Sequence, residues 1–209
     1  MLNKKLNIYK VIWLFLIGCV LGYILESVFY IIKYGNFVNK QGLIIGPFKP
    51  IYGTGVVLAS LLFSGFKLQK KWQIFIVGAV LGTFFEYLCS YLLETIWGLY
   101  IWDYSSFNFN INGRIYLPYC LVWGLVSLVW YSYIYPLFLK FYDKIKLDKF
   151  RIITILIGVF FIIDLSLTFL IYFRIKDSNN DCVIYQVVDK IFPEEEINSK
   201  FSKVRKIKK

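Results

Sequence analysis

Apolar positions gather into five runs, Val11–Ile32, Ile51–Phe66, Trp72–Ile96, Leu117–Leu139 and Ile152–Phe173, separated by short polar segments. At about 1.5 Å per helical residue, such runs cross or nearly cross a hydrocarbon layer of about 30 Å. The second run is only 16 residues long. The stretch just before it, Leu43–Phe48, is also apolar and is broken by Gly46 and Pro47. It could enter the bilayer as non-helical backbone, which is tolerated only where protein or water covers it. Trp13, Trp72, Trp97, Trp102, Tyr30, Tyr100 and Tyr116 lie near run ends, where amphipathic rings favour the headgroup region. The pattern predicts an all-α integral membrane protein of about five transmembrane helices.

Composition agrees: 58% of residues are hydrophobic and 18% charged, against about 45–50% and about 25% in soluble domains. A water-soluble fold, a disordered chain and a nucleic-acid-binding domain are excluded, although the net charge of +11 alone would suggest the last. With no His in the chain, imidazole-based metal sites and Ser/Cys–His catalysis are not expected. No metal or cofactor is expected. The four cysteines form no CxxC pair and read as packing thiols.

The cations set an orientation. Eleven Lys and Arg lie in the N-terminus, the 67–71 loop and the 140–151 loop, against Lys33, Lys40, Lys49 and Arg114 in the two other loops. Positive-inside then puts the N-terminus in the cytoplasm and the loops around 34–50 and 97–116 outside. Met1–Lys5 resembles a signal-peptide start, but the run behind it is long and has no small-x-small cleavage site, so it reads as a first span. Five spans leave residues 175–209 as a charged tail on the outer side. Within it, Pro193-Glu194-Glu195-Glu196 is a helix start. Ile197, Phe201, Val204 and Ile207 follow at helical spacing beside Lys200, Lys203, Arg205, Lys206, Lys208 and Lys209. Such a basic amphipathic helix lies on an anionic, more often cytoplasmic, surface. A frayed solvated tail is the alternative, and the tail's side stays open.

Within the transmembrane domain, 1–174, a duplication is visible. Leu16-Ile17-Gly18-Cys19-Val20-Leu21-Gly22 matches Ile76-Val77-Gly78-Ala79-Val80-Leu81-Gly82 at an offset of 60, and both continue to a glutamate, Glu26 and Glu86. Downstream, Gly42-x4-Pro47-x5-Gly53 matches Gly113-x4-Pro118-x5-Gly124 at an offset of 71, with Tyr52 and Trp123 in register. Two tandem helical hairpins, 10–66 and 70–139, would form a parallel pseudo-repeat about an axis along the membrane normal. A fifth helix, 152–173, would pack outside the pair. The second hairpin carries eleven more residues in its outer loop. Gly18 and Gly22, like Gly78 and Gly82, are four apart, the small-xxx-small pattern of close helix packing. Each glutamate follows on nearly the same face, so the packing face carries the acid, near the pseudo-axis.

Glu26, Glu86, Glu94 and Asp164 all fall within runs, and a charged acid at mid-span costs about 2.5–3.5 kcal/mol. Gly78, Gly82, Glu86, Ser90 and Glu94 are successive i+4 positions, a small and polar stripe. One interpretation is a polar path or binding site centred on Glu26 and Glu86, with Ser90 and Glu94 along it. The other is internal pairing with Lys49, Arg114 or Tyr hydroxyls that fixes packing, which is favoured for Asp164. Lys49 precedes Pro50 at a helix N-terminus, where a cation opposes the dipole and calls for an acid or anionic ligand. Tyr52, Asp103, Asn112 and Arg114 are the further outer-loop candidates.

Gly46-Pro47-Phe48-Lys49-Pro50-Ile51-Tyr52-Gly53-Thr54-Gly55 and Trp102-Asp103-Tyr104-Ser105 followed by Phe109-Asn110-Ile111-Asn112-Gly113-Arg114 and Trp123-Gly124 resemble the GPxxPIYGxG and WDYS…FNxNGR…WG motifs of the Putative ABC-transporter type IV family, also called CmpB-like. The resemblance covers about residues 10–135. It implies a bacterial plasma-membrane, permease-like protein and no particular substrate. Lys49 departs from the pattern, which has a small or cysteine-like residue there. The chain has no GxxxxGK[ST] P-loop, so an ATPase would be a separate subunit, docking best on 140–151. Five spans would also need a partner, or a second copy in a homodimer, to enclose a pathway. The balance is against an enzyme. Three roles stay in competition: a transport component; a membrane-embedded enzyme on lipid-linked or envelope substrates using Glu94, Asp103 and Arg114; and a structural or regulatory scaffold.

Overall fold

The computed structural model describes residues 6–39, 41–65, 70–144, 147–176, 182–201 and 205–206. Four helical segments are long and apolar enough to cross a bilayer: Ile8–Tyr34, Lys71–Trp97, Leu117–Tyr142 and Phe150–Lys176. The chain is a multi-pass membrane protein. Helix α1 (Ile8–Tyr34) is capped by Asn7, whose side chain accepts the Lys10 N–H at 2.9 Å, and ends at Gly35 with φ 72°. Helix α2 (Pro50–Gly65) is apolar but has only 16 residues, about 24 Å. Helix α3 (Lys71–Leu92) widens into a π-turn over Leu93–Trp97. Helix α4 (Leu117–Val129) passes through a second π-turn, Trp130–Ile134, into α5 (Tyr135–Tyr142). Helix α6 (Leu147–Lys176) follows.

Small residues let α1 meet α2, and α3 meet α4, at backbone distance. A Cβ on Gly18 would stand 2.8 Å from the Gly53 Cα, and one on Gly22 would strike the Tyr52 ring. In the second pair a Cβ on Gly78 would strike Ser127, and one on Gly82 would stand 2.7 Å from the Trp123 Cβ. Leu14, Phe63, Ile74, Trp130, Tyr131, Tyr135 and Leu139 form the core joining the pairs. Its polar ends are satisfied: the Trp130 indole donates to Ser60 Oγ at 2.9 Å, and Tyr131 donates to the Phe63 carbonyl at 3.0 Å. Helix α6 packs on α1 through Trp13 to Thr154 (2.8 Å) and an edge-on Phe15–Phe161 contact. It leaves Leu156 and Ile162 exposed, as lipid-facing side chains are.

The segment 41–49 is non-helical, and its centre is buried. Leu43 and Ile44 are inaccessible, and α6 supplies their neighbours' hydrogen bonds: Ile44 N–H to Thr168 Oγ1 at 3.0 Å and Ile45 N–H to Asp164 Oδ1 at 3.1 Å. Lys49 N–H donates to the Cys19 carbonyl at 3.2 Å. Cys19 lies 15 residues before the end of α1, about 22 Å along the axis, so α2 begins deep in the molecule. Asp164 thus serves the backbone of the non-helical segment between α1 and α2.

The tail folds onto the same end. Helices α7 (Val183–Ile191) and α8 (Glu194–Lys200) bury Val188, Ile197 and Phe201 against Ile44, Leu99, Ile171 and Tyr172. Arg174 pairs with Asp189 at 2.9 Å, and Lys200 Nζ donates to the Ile44 carbonyl at 2.9 Å. The expected basic helix running to Ile207 stops at Lys200. Arg205–Lys206 (β4) instead pairs antiparallel with Leu99–Tyr100 (β1). Ile197 and Phe201 find apolar partners in the protein, and the open edge of β1 takes up backbone hydrogen bonds. Val204, Ile207, Lys203, Lys208 and Lys209 lie outside the described residues, as do Met1–Lys5, Lys40, Lys67 and Lys146.

Cation-rich segments meet at the opposite end, where Lys10 pairs with Asp143 (3.4 Å) and Arg151 donates to Tyr9 (2.6 Å). Single-cysteine variants test this division. A membrane-impermeant maleimide should label Cys182 and Asn108→Cys from one side of the membrane, and Lys71→Cys from the other. Opposite sidedness of Cys182 and Asn108→Cys would overturn the docking of the tail.

Candidate functional site

The two hairpins bring their glutamates to one place. On α1, Glu26 is ion-paired with Lys49, and the Tyr52 hydroxyl, one turn into α2, is turned toward the same carboxylate. On α3, Glu86 is 8% exposed. It accepts the Trp123 indole N–H on Oε2 at 2.8 Å and the Tyr104 hydroxyl on Oε1 at 3.2 Å. The Tyr52 and Trp123 rings lie 6.2 Å apart between centroids. Gly22 and Gly82 make this possible, because each ring lies across the face a larger residue would occupy.

Lys49 stands at the start of α2, where the helix dipole disfavours a cation. Burial pushes its ammonium below the usual lysine range, and Glu26 opposes that shift. Tyr104 is brought in by the loop between α3 and α4. The Asp103 carboxylate accepts the Ser105 N–H at 2.9 Å and its hydroxyl at 2.6 Å, closing an Asx-type turn. Tyr104 N–H donates to the Gly113 carbonyl at 2.8 Å, and the Trp102 indole donates to the Arg114 carbonyl at 2.9 Å. Strands β2 (Asn110–Ile111) and β3 (Ile115–Tyr116) turn back through Asn112 (φ 53°) and Gly113 (φ 66°). Tyr119 packs edge-on against Tyr104 at 5.6 Å. Burial holds the Tyr104 hydroxyl well above the usual phenol range, with the Glu86 charge adding to it, so it serves as a donor to that carboxylate.

Arg114 forms a separate lock at the C-terminal end of α3. Its Nε reaches Glu94 Oε2 at 3.1 Å, and its Nη2 closes on the same oxygen. Nη1 donates to the Tyr87 hydroxyl at 3.2 Å, where the Asn112 side chain also donates at 3.1 Å. The guanidinium lies 5.3 Å from the Tyr87 ring centroid and 5.6 Å from that of Tyr91. The hydrogen bond to Glu94 holds Arg114 above its already high range.

Residues 13–169 match the family described as Putative ABC-transporter type IV. The chain belongs to this family. No curated protein and no solved structure matches the chain. Membership in the ABC-transporter type IV family supports a general role in transport. The matched range holds every residue of both clusters, and the tail from 170 onward lies beyond it.

Of the residues singled out in the sequence, Glu26, Glu86, Lys49 and Tyr52 come together. Glu94, Arg114 and Asn112 form the separate lock instead, with Glu94 lying within the π-turn at Leu93–Trp97. Ser90 is buried next to Glu86 along that stripe. Asp103 is turned onto Ser105. Trp123 and Tyr104, the two donors to Glu86, were missed as site residues. The register of Trp123 with Tyr52, and the place of Tyr104 in the Trp-Asp-Tyr-Ser run, were the signals that could have found them.

Gly113 tests the loop frame. An alanine there meets left-handed backbone and a Cβ 3.0 Å from Asp103 Oδ1 as well as against Ser105, whereas Gly98 (φ 62°) has nothing near its Cβ. Gly98→Ala should cost about 1–2 kcal/mol through its backbone alone. Gly113→Ala should cost more, read as a lower thermal midpoint in detergent by size-exclusion fluorescence. Equal midpoints would show that the loop does not hold Asp103 and Ser105 against Gly113.

Proposed function

We propose that this protein is the membrane-embedded component of a transport system, and that Glu26 and Glu86 form its central polar site beneath the outer loops. The observation that carries this is the approach of two carboxylates on separate helices: Tyr104 and Trp123 bond Glu86, and the Trp123 ring lies 6.2 Å from that of Tyr52, which bonds Glu26. An acid kept within a membrane span reads by default as part of a substrate or ion path. The proposed architecture is a parallel pair of hairpins with α2 as a fifth crossing. Contacts that recur at the two sequence offsets support it: Gly22 on Tyr52 with Gly82 on Trp123, and Gly18 on Val56 with Gly78 on Ser127. The proposed setting is a bacterial plasma membrane with the N-terminus in the cytoplasm, where the cation-rich end would lie. A separate ATPase would dock there, and a second copy could complete the pathway.

The Glu94–Arg114 lock favours a second, structural role for those two residues, which fix the outer loop that carries Tyr104. An enzymatic use of Glu94, Asp103 and Arg114 gains no support from these pairings.

Solute profiles of cells with and without the protein test the proposal. Expression of the unaltered protein should shift the content of at least one solute. Glu26→Gln combined with Glu86→Gln should abolish that shift while the amount in the membrane stays the same. A double variant that retains the shift would sink the central site. Affinity purification should bring down a P-loop ATPase subunit, and recovery of the protein alone would remove the ATPase from the proposal.

A further inference from the structure

The two half-sites differ in one respect. Glu26 has an ammonium seated on it, that of Lys49. At the offset of 71 that aligns Tyr52 with Trp123, the position of Lys49 is taken by Cys120. Glu86 therefore meets only neutral donors, Trp123 N–H and Tyr104 O–H. Among the described residues it enters no ion pair, although it is 8% exposed. A carboxylate buried that deeply is costly unless a cation compensates it. Its surroundings are aromatic: Trp123 and Tyr104 bond it, the Tyr52 ring lies 6.2 Å from that of Trp123 and Tyr119 packs on Tyr104. An aromatic setting favours an organic ammonium over a strongly hydrated metal ion.

We propose that Glu86 receives the ammonium group of an organic amine, making the transported substrate class cationic amines. The inference rests on the transport role proposed above and specifies its substrate. The Trp123 N–H, at 2.8 Å, keeps Oε2 in place. The incoming N–H takes Oε1 in place of the Tyr104 hydroxyl, whose bond is the longer one at 3.2 Å and which is carried on a loop. Lys49 on Glu26 is the chain's own version of that contact, one helix away.

Benzylammonium, with benzyl alcohol as its neutral isostere, is the probe for isothermal titration of the purified full-length protein in detergent. Benzylammonium should bind and benzyl alcohol should not. Glu86→Gln should weaken binding at least about tenfold, since an ammonium–carboxylate contact becomes a neutral one. Two variants should act in the opposite direction. Tyr104→Phe removes the competing donor, and Lys49→Cys gives the first half-site the residue of the second and removes a like charge. Each should tighten binding about two- to fivefold, so a Glu86→Gln chain that fails to fold does not leave the idea untested. Equal binding of the alcohol, or no gain in either tightening variant, overturns the proposal. Absence of benzylammonium binding while the double glutamine variant still abolishes the solute shift removes the amine and leaves the transport role. Binding with an unaffected solute shift keeps the amine site and removes transport.

Discussion

Every polar group carried into hydrocarbon must find its partner within the protein, because no water is there to supply one. The rest of this structure follows from that constraint. Helices α1 and α3 each carry a glutamate that neither helix can satisfy alone. The partners come from the neighbouring helix of the same hairpin, Tyr52 and Trp123, and from the loops between helices, Lys49 and Tyr104. The glycines are the other half of the solution, since without Gly22 and Gly82 the aromatic rings could not lie against the helices that bear the acids. Close packing and charge compensation are here the same set of contacts.

Much of this was legible in the chain because bilayer physics writes coarse signals. Run length gave four of the helices, and the shortness of 51–66 marked the one that differs. The Gly-Gly-Glu spacing located the faces that meet. Gly46 and Pro47 in an apolar stretch marked buried irregular backbone. Two things were not legible. Local periodicity extends Gly78-Gly82-Glu86-Ser90 to Glu94, but a π-turn breaks the register, and only the pull of Arg114 from twenty residues away explains where Glu94 goes. The tail likewise carries a helical pattern through Ile207. That pattern cannot register that β1 has an open edge or that Ile44, Leu99 and Tyr172 leave an apolar surface for Ile197 and Phe201.

The two loops around 41–49 and 98–116 are therefore not passive connections. Segment 41–49 positions the cation for Glu26, and segment 98–116 positions the hydroxyl for Glu86. Each is anchored at a distance from its carboxylate: the first by Asp164 and Thr168 on α6, the second by the turn at Asn112–Gly113. The Glu94–Arg114 lock then pins the second loop to α3. Polar groups of the site are thus held by other polar groups in connected networks, which strengthens each bond in them.

The hydrogen bonds from Ile44 and Ile45 to α6 also bear on the order in which the chain is made. Their acceptors, Thr168 and Asp164, follow them by 124 and 119 residues. While the first hairpin is being synthesised, neither acceptor yet exists, so those two amides cannot take their final partners. They do so only once the last long helix is present, and the C-terminal strand can close on β1 only when the chain is made. The first long connection of the chain is therefore among the last parts of the molecule to settle.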